Sequence, residues 1–375
     1  MTLSLVLVVV VIALVFEYIN GFHDTANSIA TVVATKVLTP GQAVILAAVT
    51  NFIGALLGTA VAKTISTGLI DAGVVTITPQ LLICALLGAI LWDLMTWWWG
   101  LPTSSSHALV GGLCGAALAA HEHWNALIWW QGGVHWWQGR GLLPKVVLPM
   151  VVSPLAGFVL GFLIMGMFFA LLSLLGDHGP LKHYVRPRSI NRLFGKMQML
   201  SSSAMGISHG LNDAQKTMGI IALALAGATA AGSLDVLPAW LGFLRIPELA
   251  HHQFTIPVWI KATCALIMAA GTMAGGWRII RTLGHKMVKL HPINGVAADT
   301  ASTTVIITAS VLGIPVSTTH NVSSAIMGVG TAKRSNAIRW TVVERMVWAW
   351  ILTLPITAAI AWLLLRGLEM LGLAG

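Results

Sequence analysis

The stretch Gly-Phe-His-Asp-Thr-Ala-Asn-Ser at residues 21–28 places an ionisable side chain, Asp24, inside a long apolar segment. Placing a carboxylate at the centre of a membrane costs roughly 2.5–3.5 kcal/mol of insertion free energy. Such a residue is therefore found mainly where it faces a polar interior and has a function. Polar residues surround it at helical spacings of three and four, which indicates a polar face on one helix. These residues are Glu17, Asn20, Asp24, Asn27, Ser28, Thr31 and Thr35. Gly21 predicts a local break in this helix, lining a cavity.

Composition places the chain among membrane proteins. It has 375 residues, of which 57% are hydrophobic and 9% charged. That length allows about ten membrane crossings of roughly 20 residues each. The net charge of +9 does not indicate nucleic-acid binding, because the basic residues lie in short loops and are not interleaved with aromatic residues on one face. We therefore predict an all-α polytopic membrane protein that binds no nucleic acid.

Ten apolar segments are predicted, five in each half of the chain. They lie at 3–35, 41–62, 80–99, 103–120, 146–175, 197–226, 256–277, 297–312, 316–331 and 341–366. The segments at 103–120 and 316–331 are short, begin with or next to a proline and are rich in glycine, so we predict re-entrant or hairpin elements there. The segment at 197–226 is predicted to break around Gly206 to Gly210.

The two halves carry matching motifs in the same order, which predicts an internal repeat. The matching anchors are Asp24 and Asp213, Gly54-x-x-x-Gly58 and Gly271-x-x-x-Gly275, and Pro102 and Pro315. Five passes per half is an odd number, so the two repeats are expected to have inverted topology, as in many secondary transporters. We predict a first repeat over 1–178 and a second over 179–375, within a single membrane domain.

Basic residues predict the orientation, because cytoplasmic loops carry an excess of Lys and Arg. Three loops are basic, and the loops at 63–79 and 227–256 carry little positive charge. The basic residues are Lys182, Arg186, Arg188, Arg192 and Lys196 in the central loop, then Arg278, Arg281, Lys286 and Lys289, and then Lys333, Arg334 and Arg339. The pattern predicts a multi-pass protein of the cell (plasma or inner) membrane with both termini outside.

The sequence Pro-Thr-Ser-Ser-Ser-His at 102–107 suits an anion. Proline favours the start of a helix, and the hydroxyls then lie where the first N–H groups of the helix are unpaired and the helix dipole is positive. A second copy follows Pro315. The predicted oxyanion ligands are Ser104, Ser105, Ser106, Ser317, Thr318 and Thr319. An ordinary hydroxyl cap is the alternative for either copy alone, and the duplication favours a substrate site.

Asp24 and Asp213 suit a hard cation or a proton rather than an anion. An anion that enters a low-dielectric cavity needs compensating charge, so hydroxyl-lined helix ends beside two carboxylates predict an anion that moves together with cations. A buried ion pair between Asp213 and Lys216, three residues on, is also expected, and it does not exclude function.

The motif at 21–28, the sequence His-Gly-Leu-Asn-Asp-Ala-Gln-Lys-Thr-Met-Gly at 209–219 and the two Pro-x-Ser-Ser/Thr-Ser/Thr-His motifs resemble the duplicated signatures of the inorganic phosphate transporter (PiT) family over nearly the whole chain. The resemblance implies phosphate uptake coupled to sodium or protons, a homodimer and no cofactor. It also implies that the six hydroxyl residues hold phosphate, and that Asp24, Asn27, Asn212 and Asp213 form the cation and substrate centre.

Two positions depart from the sodium-coupled pattern of that family. Lys216 stands where the first copy has Asn27, and His23 stands where the second copy has Asn212. An ammonium beside Asp213 could replace a bound cation permanently. The chain therefore looks more like the bacterial low-affinity, proton-coupled branch, which is also associated with divalent metal–phosphate complexes. Sodium-coupled phosphate symport, or sulfate transport by the same family, is the alternative.

Two other functional classes are less favoured. An intramembrane hydrolase could use Ser106 and His107, but adjacent helical residues point about 100° apart, and Ser106 does not stand in a Gly-x-Ser-x-Gly motif. A passive anion channel would give a flux that ignores the cation gradient. We predict a transporter and no enzymatic activity.

The loop at 121–145 is rich in tryptophan, which is typical of the aromatic belt at a membrane surface. Its histidines have weak metal-ligand spacing, so external metal binding is the less favoured interpretation. The residues concerned are Trp124, Trp129, Trp130, Trp136, Trp137, His121, His123 and His135.

Overall fold

The computed structural model describes residues 3–71, 73–133, 139–177, 187–246 and 255–373. The described residues form twelve α-helices, and they contain isolated β-bridges but no strand. The helices are α1 Leu3–Ala34, α2 Pro40–Leu56, α3 Ala60–Thr67, α4 Pro79–Trp99, α5 Ser105–His121, α6 Leu148–Asp177, α7 Pro187–Ala230, α8 Val258–Ala274, α9 Trp277–Arg281, α10 Pro292–Val311, α11 Thr318–Lys333 and α12 Trp340–Met370. Short π-helical turns precede α6 at Leu143–Val147 and follow α9 at Thr282–Lys286.

The fold is that of an all-α polytopic membrane protein, as predicted. Among the described residues, four helical stretches are long and apolar enough to cross a membrane, and two bent helix pairs raise the number to as many as six. Helices α5 and α11 have 17 and 16 residues, shorter than an ordinary span. Helices α7 and α10 carry many polar residues. Length and apolarity therefore support fewer spans than the ten apolar segments predicted.

The predicted helix breaks at Gly21 and at Gly206 to Gly210 are wrong. Helices α1 and α7 run through these positions without interruption. The glycines serve close packing instead: a Cβ atom on Gly21 would collide with the backbone of α8 at Met268, and one on Gly210 would collide with the backbone of α2 at Asn51. A missing side chain lets two backbones approach, as at small-residue contacts between membrane helices.

The real breaks lie in two segments that the sequence predicted as continuous, 41–62 and 256–277. Helices α2 and α3 meet at a bend of 70°, and α8 bends by 59° into α9. Gly58 lies between α2 and α3, and Gly275 ends α8 with φ of 72°, a backbone conformation that favours glycine. In each G-x-x-x-G anchor the first glycine therefore packs against a neighbouring helix and the second marks the break.

Several basic residues predicted in loops belong to helices. Helix α7 already begins at Pro187, so Arg188, Arg192 and Lys196 lie on its exposed first turns. Arg278 and Arg281 are exposed on α9. The other two basic residues of the central loop, at 182 and 186, and the predicted repeat boundary at 178/179 lie outside the described residues. The orientation of the chain stays a prediction.

Helices from the two halves pack against each other. Helix α1 packs against α8 and α2 against α7, while α5 packs against α12 and α11 against α6. Each of these pairs joins an element before residue 178 to one after it. The centre of the molecule, where α1 and α7 pass the beginnings of α5 and α11, is therefore built from both halves.

Candidate functional site

The twelve predicted site residues are all buried, each with 2% or less of its surface exposed. They are His23, Asp24, Asn27, Ser104, Ser105, Ser106, Asn212, Asp213, Lys216, Ser317, Thr318 and Thr319. We call this set the central site. It lies where the middle of α1 and the middle of α7 meet the N-termini of α5 and α11. Because these side chains are almost entirely buried, a solute can enter or leave only when helices move.

The first hydroxyl of each repeated motif caps a helix. The Ser104 Oγ atom accepts a hydrogen bond from the backbone N–H of His107 at 3.2 Å, and Ser317 Oγ accepts one from His320 at 3.1 Å. The ordinary capping explanation thus applies to the oxygens of these two residues. Each hydroxyl proton can still be donated elsewhere.

The second hydroxyl of each motif contacts an aspartate. Ser105 Oγ lies 3.1 Å from Asp24 Oδ2, and it also donates to Asn20 Oδ1 at 2.7 Å. In the second half, Thr318 Oγ1 donates to Asp213 Oδ2 at 3.0 Å. The two predicted classes of ligand, hydroxyls and carboxylates, therefore meet in one place in both halves.

The third hydroxyl of each motif is bound by a residue from the other half of the chain. Asn27 Nδ2 donates to Thr319 Oγ1 at 2.9 Å and to Thr318 Oγ1 at 3.2 Å. Lys216 Nζ donates to Ser106 Oγ. These contacts correspond between the halves, but a neutral amide in one is replaced by an ammonium in the other.

The expected ion pair between Asp213 and Lys216 is present and fully buried. His209 Nε2 lies 2.9 Å from the other oxygen of the Asp213 carboxylate, Oδ2. Two unpaired ions at this depth would each cost several kcal/mol, so the mutual neutralisation of Asp213 and Lys216 is what allows both to remain. In the described part of the chain Asp24 has no such ammonium, and His23 Nδ1 lies 2.7 Å from its Oδ1 atom.

Asn212 is buried near the centre, but its hydrogen bonds lead away from Asp213. Its Nδ2 atom donates to Ser310 Oγ at 2.9 Å and to the carbonyl of Ile314 at 3.4 Å. It thus ties α7 to α10 and to the segment before α11. His23, at the matching position, contacts both Asp24 and, through Nε2 at 3.3 Å, the hydroxyl of Thr96.

Among the residues that the structure describes, one group of side chains could hold a cation. Ligand atoms of Asp24, His209 and Asp213 all lie within 4.8 Å of one another. His209 Nδ1 lies 3.2 Å from Asn51 Oδ1. An Nδ1–H that donates to this oxygen leaves the Nε2 lone pair directed at the carboxylates, which is how metal-binding histidines are usually oriented. The sequence motif contains His209, but spacing alone did not assign it or Asn51 to the site.

Two further buried carboxylates were missed by the sequence reasoning. Asp299 on α10 is 3% exposed and accepts hydrogen bonds from Thr31 at 2.8 Å, Ser202 at 2.7 Å and Ser201 at 3.1 Å. Asp93 on α4 is 0% exposed. Both could have been predicted from the sequence, because each is an aspartate inside a predicted apolar segment, and this criterion selected Asp24.

The tryptophan-rich loop follows α5, at the opposite end of that helix from Ser105 and Ser106. Trp124 and Trp130 are exposed, as an interfacial belt requires. The rings of His121 and His123 pack edge to face with centroids 5.7 Å apart. Residues 134–138, which include the third histidine and two of the tryptophans, lie outside the described residues.

The fold and the central site define a polytopic membrane protein with a buried polar centre. The sequence pattern of the phosphate transporter family matches residues 20–361, and the chain belongs to this family. It is 39% identical to a probable low-affinity inorganic phosphate transporter of Bacillus subtilis (strain 168), over 97% of this chain and 98% of that protein. The hydrolase alternative is excluded by this family, whose members are named as transporters.

Other comparisons agree with this family. The chain is 42% identical to a probable low-affinity inorganic phosphate transporter of Rhizobium meliloti (strain 1021), over 94% of this chain and 93% of that protein. It shares its fold with a solved structure titled "The sodium-dependent phosphate transporter", with a TM-score of 0.77 and 24% identity over 98% of this chain and 100% of that one. The predicted resemblance to bacterial low-affinity phosphate transporters is therefore confirmed.

Proposed function

We propose that the protein imports inorganic phosphate across the cell membrane by symport with protons, and that phosphate binds in the central site. The observation that carries the proposal is the meeting of two hydroxyl-rich helix N-termini with Asp24, Asp213 and Lys216 in a place closed to solvent. The names of the similar bacterial proteins support phosphate as the anion.

Phosphate would be held by the second and third hydroxyls of each motif and by Lys216. These hydroxyls now donate to carboxylates or accept from Lys216 and Asn27. An arriving oxyanion offers several charged acceptor oxygens, which would receive hydrogen bonds from the hydroxyls, the ammonium and the free N–H groups at the two helix starts. The same geometry would accept sulfate, so competition between sulfate and labelled phosphate distinguishes the two substrates.

The hydroxyl assignment predicts a binding defect. Ser105→Ala and Thr318→Ala each remove one donor, and a hydrogen bond to a charged group contributes about 1.5–3 kcal/mol. We expect the apparent KM for phosphate to rise roughly 10- to 100-fold in each single variant and further in the double variant, since about 1.4 kcal/mol is a factor of ten. Uptake kinetics of labelled phosphate measure this.

The control for these two substitutions is Thr304→Ala, which removes an exposed hydroxyl from α10. It is expected to leave the KM unchanged. An unchanged KM in both single variants and in the double variant would remove these hydroxyls from the phosphate site.

Proton coupling is proposed because the two halves of the site differ in charge. The Lys216 ammonium occupies the place beside Asp213 where a co-transported cation could otherwise bind. Among the described residues, His23 is the only ionisable hydrogen-bond partner of Asp24. Asp24 is therefore the group we assign to binding and releasing the coupling proton. Sodium coupling is the alternative, and it predicts uptake that stops without sodium.

A second candidate cargo is a divalent metal–phosphate complex, favoured by the convergence of Asp24, His209 and Asp213. Two carboxylates and an imidazole can bind a divalent ion, and the adjacent phosphate would complete its coordination. Uptake of a radioactive divalent ion together with phosphate at a fixed ratio would support this cargo. Phosphate uptake that is unaffected by removal of divalent ions would exclude it.

We also propose that the two halves are inverted repeats, with both termini outside and with two copies forming a homodimer. The matched contacts support the repeat: Gly271 packs on Tyr18 of α1 as Gly54 packs on Ile207 of α7. Both glycines belong to the anchors of the repeat. The dimer rests on the family resemblance and is tested by the mass of the purified protein in detergent.

The inverted topology predicts a labelling pattern. Cysteines introduced at Gly73 and at Ser233 are expected to react with impermeant thiol reagents from outside intact cells, because both positions lie in the loops that carry little positive charge. A cysteine at Ser189, exposed at the start of α7, is expected to react only after the membrane is opened. Labelling at Ser189 in intact cells would overturn the orientation.

A further inference from the structure

Asp93 is a buried carboxylate outside every repeated motif. It lies on α4, nine residues before Pro102, and the residue nine positions before Pro315 in the second half is Ile306. The two halves therefore differ at this place, as they do at Lys216. A solitary carboxylate in a membrane helix marks a functional group unless a partner neutralises it.

No partner for Asp93 is found among the described residues. Its side chain is 0% exposed, and neither Oδ1 nor Oδ2 has a hydrogen-bond partner in that part of the chain. The ionisable groups that act on it electrostatically are His23 and Asp24, both on α1. Asp93 makes no hydrogen bond to Asp24 or to the other two residues of the candidate cation group.

An ionised carboxylate cannot remain in such surroundings. Desolvation of an unpaired charge costs many kcal/mol, and the group instead takes up a proton. The repulsion between Asp93 and an ionised Asp24 acts in the same direction, a protonated His23 acts in the opposite one, and desolvation is the largest of the three effects. A protonated Asp93 is therefore the form compatible with the closed structure.

Asp93 also lies beside the contacts that link α4 and α5 to α1. Thr96, one turn further along α4, places its hydroxyl 3.3 Å from His23 Nε2, and Thr103 donates to Thr96 at 2.8 Å. His23 in turn contacts Asp24. A negative charge on Asp93 would therefore appear next to the part of the site that we assign to coupling.

We propose that Asp93 is a second proton-binding residue of the transport cycle, protonated while the site is closed and deprotonated when the site opens to the cytoplasm. On opening, the O–H bond of the carboxylic acid breaks, the proton passes to water, and the carboxylate is then hydrated. This inference rests on the proposed proton symport and adds a proton to that carried at Asp24.

The protonation state can be measured without transport. Infrared spectra of the protein in liposomes at neutral pH are expected to contain the C=O stretching band of protonated carboxylic acids, and Asp93→Asn is expected to remove one component of that band. The matched control is Glu344→Gln, which changes an exposed carboxylate of α12 and is expected to leave the band in place. A band of equal intensity in Asp93→Asn and the wild type would overturn the proposal.

The role in transport is measured as the number of protons moved per phosphate, from an enclosed pH dye and labelled phosphate in the same vesicles. This ratio does not depend on the transport rate. Asp93→Asn is expected to lower it by about one proton relative to the wild type and to Glu344→Gln. An unchanged ratio would overturn the proposal. If Asp93→Asn moves too little phosphate to measure, the test uses Asp93→Glu, which keeps a carboxylic acid. This variant is expected to move as many protons per phosphate as the wild type, and a lower ratio would contradict the role of Asp93.

A failure of the proposed proton symport can be distinguished from a failure of the role of Asp93. A wild type that moves no protons with phosphate would contradict the proton symport and the transport role of Asp93 together. If Asp93→Asn loses its component of the infrared band but still moves as many protons per phosphate as the wild type, only the transport role of Asp93 is contradicted.

Discussion

Asp24→Asn is expected to reduce accumulation of phosphate against its gradient to the level of empty vesicles. The amide preserves the size of the side chain and can still contact Ser105, but it can neither bind nor release a proton at neutral pH. Without that exchange, a proton gradient has no means of driving phosphate inward. Uptake of labelled phosphate into proteoliposomes that are acidic outside and neutral inside measures the effect.

The control for Asp24→Asn is Asp235→Asn, the same chemical change at an exposed position after α7. It is expected to accumulate phosphate as the wild type does. Accumulation by Asp24→Asn at the wild-type level would show that the coupling proton is carried elsewhere, and it would remove Asp24 from the proposed mechanism.

Lys216→Asn is expected to make transport depend on an added monovalent cation. The substitution puts into the second half the amide that the first half has at Asn27, and it leaves Asp213 without its ammonium. Removing one partner of a buried ion pair costs about 3–5 kcal/mol, which a bound sodium ion could restore. We therefore expect low uptake and a lowered melting temperature without sodium, with both recovering as sodium is added.

Lys196→Asn is the matched control, because it removes an exposed lysine from the same helix. It is expected to change neither the melting temperature nor the ion dependence. If Lys216→Asn transports phosphate as the wild type does in the absence of sodium, the ammonium does not replace a cation. If it unfolds irreversibly in all salts, the lysine has only a structural role.

Much of the central site could be predicted from the sequence, because its chemistry is duplicated. Two aspartates in apolar segments and two hydroxyl motifs after proline recur in one order, and a membrane chain tolerates such polar groups only where they meet each other. The structure brings Asp24 to Ser105 and Asp213 to Thr318. The Asp213–Lys216 pair followed from helical spacing of three residues.

The remaining parts depend on contacts between segments far apart in the chain. A glycine can end a helix or allow two helices to approach closely, and the local sequence around Gly21 does not distinguish these uses. The second use is identified only by the contact of Gly21 with the backbone of Met268 on α8. Asn212 has the residue type of a ligand, yet Ser310 on α10 takes its hydrogen bond. The second oxygen of Asp213 faces His209, whose orientation depends on Asn51 of α2.

The central claim is that this member of the phosphate transporter family couples phosphate to protons, with Lys216 in the place of a second cation. It is tested most directly by uptake of labelled phosphate into proteoliposomes of the wild-type protein under separately imposed proton and sodium gradients. We predict accumulation that needs no sodium and increases as the outside is acidified. Strict dependence on sodium, with no response to a proton gradient, would contradict the claim.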